Sequence, residues 1–320
     1  MSGDNQVGTC CASCGIAEID DIKLMPCDGC DLVKYCSDEC REDHKSEHEV
    51  DCRTRAAELR EELLFKQPEG TDVGDCPICC LPIPIEPGNS VIYVCCGKVI
   101  CKGCEYANDR REMELRLQHK CPFCRSVTKS KKQFDKQLMK RVKANDPVAI
   151  RFLGEKYNAK LHYIRAFDCF TKAAELGDIE SHFHLGNSYH FGQFVKKDEG
   201  KMLHHMEEAA IGGHAHARNN LGVHEWYNGD KKRAVKHWII AATQGQDDSI
   251  EMVMVAYRKG LISKEDLAST LRAHKAAVDA TKSPQRQAEE RSKIIVRNNE
   301  RATRNNELLD DWLRELISKC

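Results

Sequence analysis

Cysteines two or three residues apart crowd the first third of the chain, at the spacing of metal ligands. From Cys11 the sequence runs C-x2-C to Cys14, then Cys27-x2-Cys30, Cys36-x3-Cys40 and His48-x3-Cys52, giving eight candidate ligands. A two-residue spacer lets two thiolates grip one tetrahedral ion from a tight knuckle, and His-x3-Cys sets both ligands on one face of a helical turn. With Tyr35 as its only aromatic residue, this segment cannot bury much of a core. Structural zinc contributes on the order of 10 kcal/mol of apparent folding free energy, so metal takes the place of a hydrophobic interior. Cys10 and His44 lie beside ligand positions, but the spacing favours Cys11 and His48 and leaves the other two as ordinary surface residues.

A second block reads Cys76-Pro-Ile-Cys79, Cys95-Cys96-Gly97-Lys98-Val-Ile-Cys101-x2-Cys104 and Cys121-Pro-Phe-Cys124-Arg125, with Cys80 spare. Of the 19 cysteines, 17 lie at or before Cys124, and Cys169 and Cys320 are isolated. Such density means disulfides in an oxidising compartment or metal sites in a reducing one. The start, MSGDNQVGTC, has neither a basic cluster nor an apolar run, and nothing later approaches the ~18 apolar residues of a membrane span. The expectation is a cytoplasmic or nuclear, non-secreted protein with reduced thiols, no membrane partner and four zinc ions, two per block. A net charge of -1, with 31% charged residues of both signs interspersed, supplies no field for nucleic acid. No catalytic triad, phosphate-cradling loop or paired-carboxylate arrangement stands out.

The elements that must carry these ligands divide the chain into six stretches. Residues 11–52 hold the first block, and 53–75 read as a helical linker ended by Pro68-Glu-Gly. Residues 76–124 hold the second block. Residues 125–145 form a basic linker whose lysine-rich part, 129–143, lacks interleaved aromatics and reads as a solvated helix. From 146 to 281 the sequence repeats: Leu153-Gly154, Leu185-Gly186 and Leu221-Gly222 recur at 32 and 36 residues. Each is followed by an alanine pair and a glycine, Ala173-Ala174-x-x-Gly177, Ala209-Ala210-x-x-Gly213 and Ala241-Ala242-x-x-Gly245. This period, with small residues where helices cross, marks a helix-turn-helix solenoid. A degenerate fourth unit keeps Tyr257 and Ala276-Ala277. The histidines gathered here, among them His204, His205, His214, His216 and His224, fit no standard metal spacing and read as polar helix faces. Residues 282–320 read as a charged C-terminal helix whose stripe Leu309, Trp312, Leu313, Leu316 and Ile317 is expected to pack on the last repeat.

The first block, including its Tyr35-Cys36-Ser37 start to the third pair, resembles a MYND-type zinc finger. The resemblance implies interleaved sites, Cys11, Cys14, Cys36 and Cys40 on one ion and Cys27, Cys30, His48 and Cys52 on the other. The second block resembles a RING finger, which implies one site from Cys76, Cys79, Cys101 and Cys104 and a second completed by Cys121 and Cys124. It departs at Lys98, where the family commonly has histidine, because a protonated lysine has no lone pair for a metal. Either Cys95 joins Cys96 in an all-cysteine site or the second site is damaged. By the same resemblance, Ile78, Pro122 and Arg125 stand where RING fingers contact a ubiquitin-conjugating enzyme, and activity would be positional rather than covalent. The repeats resemble SEL-one-like, tetratricopeptide-related repeats, which present a surface to other proteins. The expected fold is multidomain: two small zinc-stabilised cross-brace modules, then an all-α helical-repeat solenoid. The expected function is a protein-interaction adaptor with ubiquitin ligase activity, the alternative being a non-enzymatic scaffold.

Overall fold

Two structural units, Met1–Gln67 and Pro68–Cys320, make up the chain. A computed structural model describes residues 10–19, 21–127, 130–192 and 194–297. In the first unit a short antiparallel pair, β1 (Met25–Pro26) and β2 (Lys34–Tyr35), leads into the 28-residue helix α1 (Asp38–Phe65). Ser37 caps that helix by accepting the Cys40 N–H at 3.2 Å, and Asp38 and Glu39 complement the positive end of its dipole. Among its residues only His48 and Leu64 are buried. A helix with so little apolar burial depends on its ligands and on ion pairs such as Arg55 with Asp31 for its place. It runs unbroken from Cys40 through Cys52 into the stretch expected as a separate linker, so no structural break falls at residue 53.

The second unit opens on the second cysteine block. Strands β3 (Ser90–Tyr93) and β4 (Lys98–Cys101) form a hairpin with Ser90 opposite Cys101 and Tyr93 opposite Lys98, and α2 (Lys102–Glu114) follows directly. Its small core is Cys76, Ile83, Ile100, Cys101 and Cys104, with Val73, Tyr93 and Phe123 packed against them. Helix α3 (Lys131–Lys143) comes next. It is not the solvated linker that its lysines suggest. Phe134, Leu138 and Val142, four apart, form an apolar stripe that packs on Ile92 and Val94 of the hairpin and on Ala149, Phe152 and Leu153 of the first repeat.

Eight helices in four hairpins then build the solenoid: α4 (Pro147–Asn158) with α5 (Tyr163–Glu175), α6 (Ile179–Phe191) with α7 (Glu199–Ile211), α8 (Ala215–Tyr227) with α9 (Lys231–Thr243), and α10 (Asp247–Arg258) with α11 (Lys264–Ala280). The first helix of each hairpin starts at an equivalent cap. Asp146, Asp178, His214 and Gln246 each accept a backbone N–H from three residues ahead. The Leu-Gly glycines mark close helix crossings: Phe170 lies against Gly154, Met206 against Gly186 and Trp238 against Gly222. Gly177, Gly213 and Gly245 turn the chain out of the second helices at φ +87, +91 and +93°, a backbone region that side chains disfavour.

A further helical stretch covers residues 284–297. Its Arg286 reaches the second cysteine block, donating from Nη1 to the Pro82 carbonyl at 2.6 Å and from Nη2 to the Leu81 carbonyl at 3.3 Å and the Cys79 sulfur at 3.5 Å. The stripe from Leu309 to Ile317 lies outside the described residues. The architecture is thus a cysteine-rich zinc-finger region followed by an all-α solenoid.

Candidate metal centres

Four quartets of ligand atoms converge in the two cysteine blocks: Cys11, Cys14, Cys36 and Cys40; Cys27, Cys30, His48 and Cys52; Cys76, Cys79, Cys101 and Cys104; and Cys95, Cys96, Cys121 and Cys124. In each, the ligand atoms all lie within 4.8 Å of one another. In both blocks the pairs alternate between sites, the cross-brace arrangement. Every described cysteine is a free thiol.

The spacings fit zinc and not disulfides. A tetrahedral ion with Zn–S bonds near 2.3 Å has sulfur-to-sulfur edges of about 3.8 Å, whereas a disulfide needs roughly 2.05 Å. The structure has Cys14 to Cys36 at 3.5 Å, Cys36 to Cys40 and Cys27 to Cys52 at 3.6 Å, Cys96 to Cys121 at 3.6 Å and Cys79 to Cys101 at 3.9 Å. The Cys30 sulfur stands 3.2 Å from Nε2 of His48.

Three knuckles share one construction. The residue after the second cysteine returns its N–H to the carbonyl of the first: Gly15 to Cys11 at 2.9 Å, Cys80 to Cys76 at 2.8 Å and Arg125 to Cys121 at 3.0 Å. All three take a left-handed backbone, at φ +74, +54 and +59°. Backbone N–H groups gathered in such loops also favour thiolate over thiol. Burial alone would raise the Cys11 thiol, but backbone groups at Cys14, Cys36 and Ser13 outweigh it and bring the pKa down to about 6. Cys76 is likewise buried, yet backbone groups at Cys101, Cys79 and Ile78 lower it to about 7. The Ser126 hydroxyl, helped by its backbone, brings Cys124 to about 6. Cys27 also shifts down, its backbone bonds to Gly29 and Cys30 and the Cys52 thiol overcoming burial.

Each quartet therefore holds one sulfur disposed to ionise, and in each at least one neighbouring thiol is pushed the opposite way. Cys36 is raised to about 12 by the sulfurs of Cys14, Cys40 and Cys11. Cys52 is raised to about 12 by burial and then by Cys27 and Cys30, and Cys95 to about 12 by burial and then by its neighbours Cys124 and Cys121. Thiols that repel one another's charge this way release protons together when a divalent cation neutralises them.

Around the ligands, Gly29 admits the Cys52 sulfur, which would lie 2.9 Å from a Cβ at that position. His44 is not the plain surface residue that spacing suggested. The Tyr35 ring is buried, its hydroxyl meets Nδ1 of His44 at 3.1 Å, and the His44 ring stacks on His48 at 5.7 Å between centroids. A buried tyrosine hydroxyl needs a partner, and His44 supplies it. Lys98 is exposed at the start of β4, outside the quartet that contains Cys95 and Cys96. Of the proposed enzyme-contact positions, Ile78 is 44% exposed, Arg125 is exposed and Pro122 is half-buried.

A fifth convergence, Asp72, Glu180 and His214, does not suit a metal. Nδ1 of His214 accepts the Ala217 N–H at 3.0 Å as a helix cap, so the ring proton sits on Nε2 and is donated to Glu180 at 3.2 Å. Neither nitrogen keeps a lone pair for coordination. His182 and His205 meet through their Nδ1 atoms at 3.0 Å, a pair in which one nitrogen donates to the other.

Comparison with known proteins agrees with this geometry in two regions. Residues 11–52 match the MYND finger family. Residues 163–178, 179–214 and 215–246 match the Sel1 repeat, and these stretches begin with α5, α6 and α8. Among solved structures, a Sel1 repeat protein from Oxalobacter formigenes is 24% identical, covering 54% of this chain and 81% of that one at a TM-score of 0.42. The c5321 protein, a protective antigen of uropathogenic Escherichia coli with an SLR fold, is 23% identical, covering 59% of this chain and 41% of that one at a TM-score of 0.37. No curated protein matches. No helix among the described residues is long and apolar enough to cross a membrane.

Proposed function

We propose that this chain is a zinc-dependent protein-interaction adaptor. In this reading the MYND finger makes one protein contact, the Sel1 solenoid selects a client, and the second cysteine module acts as a RING-type finger. The last would hold a ubiquitin-charged conjugating enzyme in a reactive orientation, a gain of position rather than of covalent chemistry. Zinc supplies no reaction step; it fixes the knuckles that present Ile78, Pro122 and Arg125.

The observation that supports this reading most is the packed seat of the second module within the second unit. Helix α3 buries Leu138 between the hairpin and the first repeat, and Arg286 bonds the first knuckle from the far end of the solenoid. A client held on the repeats would thus have a fixed relation to the module that recruits the enzyme. Ile78 and Arg125 are exposed rather than spent in the core, which leaves them available for contact.

The test is self-ubiquitylation by the zinc-loaded chain with a panel of conjugating enzymes, repeated for Ile78→Ala and Arg125→Ala. Activity that falls at least tenfold in both variants supports the assignment. Activity indifferent to both changes contradicts those contact residues, and none with any enzyme leaves a non-enzymatic scaffold.

A further inference from the structure

Within the second unit, a cleft of about 830 Å³ opens between the first helices of the repeats and the segments that lead into the hairpin. α4, α6, α8 and the start of α10 supply one wall, and residues 72–73 and 84–88 supply much of the other. Its lining is two-natured. Ile85, Val148 and Phe183 are apolar, whereas Asp72, Glu86, Glu155, Asp178, Glu180 and Asp248 bring six carboxylates.

One guanidinium, Arg151, stands against those six, and it is already engaged by Glu155 and Asp178. Glu180 accepts a hydrogen bond from Nε2 of His214. Asp72 and Glu86 enter no ion pair among the described residues, and burial pushes the Asp72 carboxyl up from its usual range.

We propose that this cleft binds an extended polypeptide segment bearing lysine or arginine, which rests on the adaptor reading and specifies its client. Long alkyl stems lie on apolar wall while their charged heads reach carboxylates, so one basic side chain satisfies both halves of the lining. The heads face Asp72 and Glu86. A polyanion or an acidic peptide is repelled by the same lining.

The probe is a fluorescein-labelled decapeptide of alternating lysine and alanine, followed by fluorescence anisotropy on the zinc-loaded full chain. A glutamate–alanine decapeptide is the charge-reversed control. The expected result is saturable binding of the lysine peptide that weakens with salt, and none of the glutamate peptide. Asp72→Asn with Glu86→Gln should weaken binding about tenfold, and Val148→Arg, which sets a cation on the apolar wall, should abolish it. Asp168→Asn with Glu251→Gln, the same charge change at exposed positions outside the cleft, should change it less than twofold. Zinc content and circular dichroism equal to wild type establish that the variants fold. Equal weakening by both double variants, indifference to the cleft changes, or binding of the glutamate peptide overturns the inference. If a client binds through the solenoid with normal affinity in the cleft variants, this inference fails while the adaptor reading stands. If neither zinc module nor solenoid engages any protein, the adaptor reading itself fails.

Discussion

Replacing Arg286 by alanine removes the fork that joins the C-terminal helical stretch to the first knuckle of the second module. Its guanidinium donates to the carbonyls of Pro82 and Leu81, to the Cys79 sulfur and to the Thr281 carbonyl. Charge-assisted bonds are each worth about 1.5–3 kcal/mol when fully buried, but Arg286 is half-buried and water replaces part of what is lost. A net loss of about 2–3 kcal/mol follows, which raises the local opening of that knuckle roughly 30- to 150-fold at 1.4 kcal/mol per tenfold. Chelator-driven zinc release, followed with a chromogenic competitor, reads this directly. The first module belongs to a separate compact unit and serves as the internal control. Two of the four zinc ions should remain as slow as in wild type while release from the second module accelerates. Arg286→Lys keeps the charge but not the planar fork, and should recover less than half of the effect. Equal release rates in Arg286→Ala and wild type, or equal acceleration in both modules, would refute the reasoning.

Other substitutions probe the packing and the electrostatics. Gly29→Ala sets a Cβ 2.9 Å from the Cys52 sulfur, so zinc held by Cys27, Cys30, His48 and Cys52 should bind about 10- to 100-fold more weakly in a chelator competition while the other three sites are spared. Gly222→Ala places a Cβ 2.5 Å from Nε1 of the fully buried Trp238. Its overpacking cost of about 1–3 kcal/mol exceeds the ~1 kcal/mol gained in helix propensity, and denaturant unfolding should show net destabilisation. Glu180 is held down to about 2, its hydrogen bond from His214 and the nearby positive groups outweighing burial. A carboxylate whose folded pKa lies below its unfolded value stabilises at pH above the unfolded value and loses that contribution as pH falls through the folded one. Glu180→Gln should therefore cost about 1–2 kcal/mol at pH 7, and the gap from wild type should close between about pH 4.5 and pH 2.

The ligand pairs and the solenoid were legible because both depend on local spacing, and the sorting of the pairs into interleaved sites was implied by the family resemblances. A knuckle closes within five residues, and Leu-Gly, paired alanine and the closing glycine recur at a period near that of one helical hairpin. What escaped were features made by tertiary contact. The lysines of α3 concealed the stripe Phe134, Leu138 and Val142, whose partners Val94 and Phe152 come from different elements. Residues 53–65 read as a separate helical linker, yet they continue the helix that carries Cys40, His48 and Cys52. His44 looked incidental until Tyr35 was seen to be buried against it. His214 read as a polar helix face and is instead the third repeat's cap, standing where the first two repeats use Asp146 and Asp178. Arg286 had no signal, because its acceptors lie about 205 residues away in the chain.

Native mass spectrometry of the full chain, before and after exposure to a strong chelator, tests the central claim most directly. Four zinc ions on a chain whose thiols are all reduced, with loss of ordered structure in the cysteine blocks once the metal is stripped, is the predicted result. A chain that carries no zinc and keeps its fold, or whose mass falls by two hydrogens for each pair of cysteines, would contradict it.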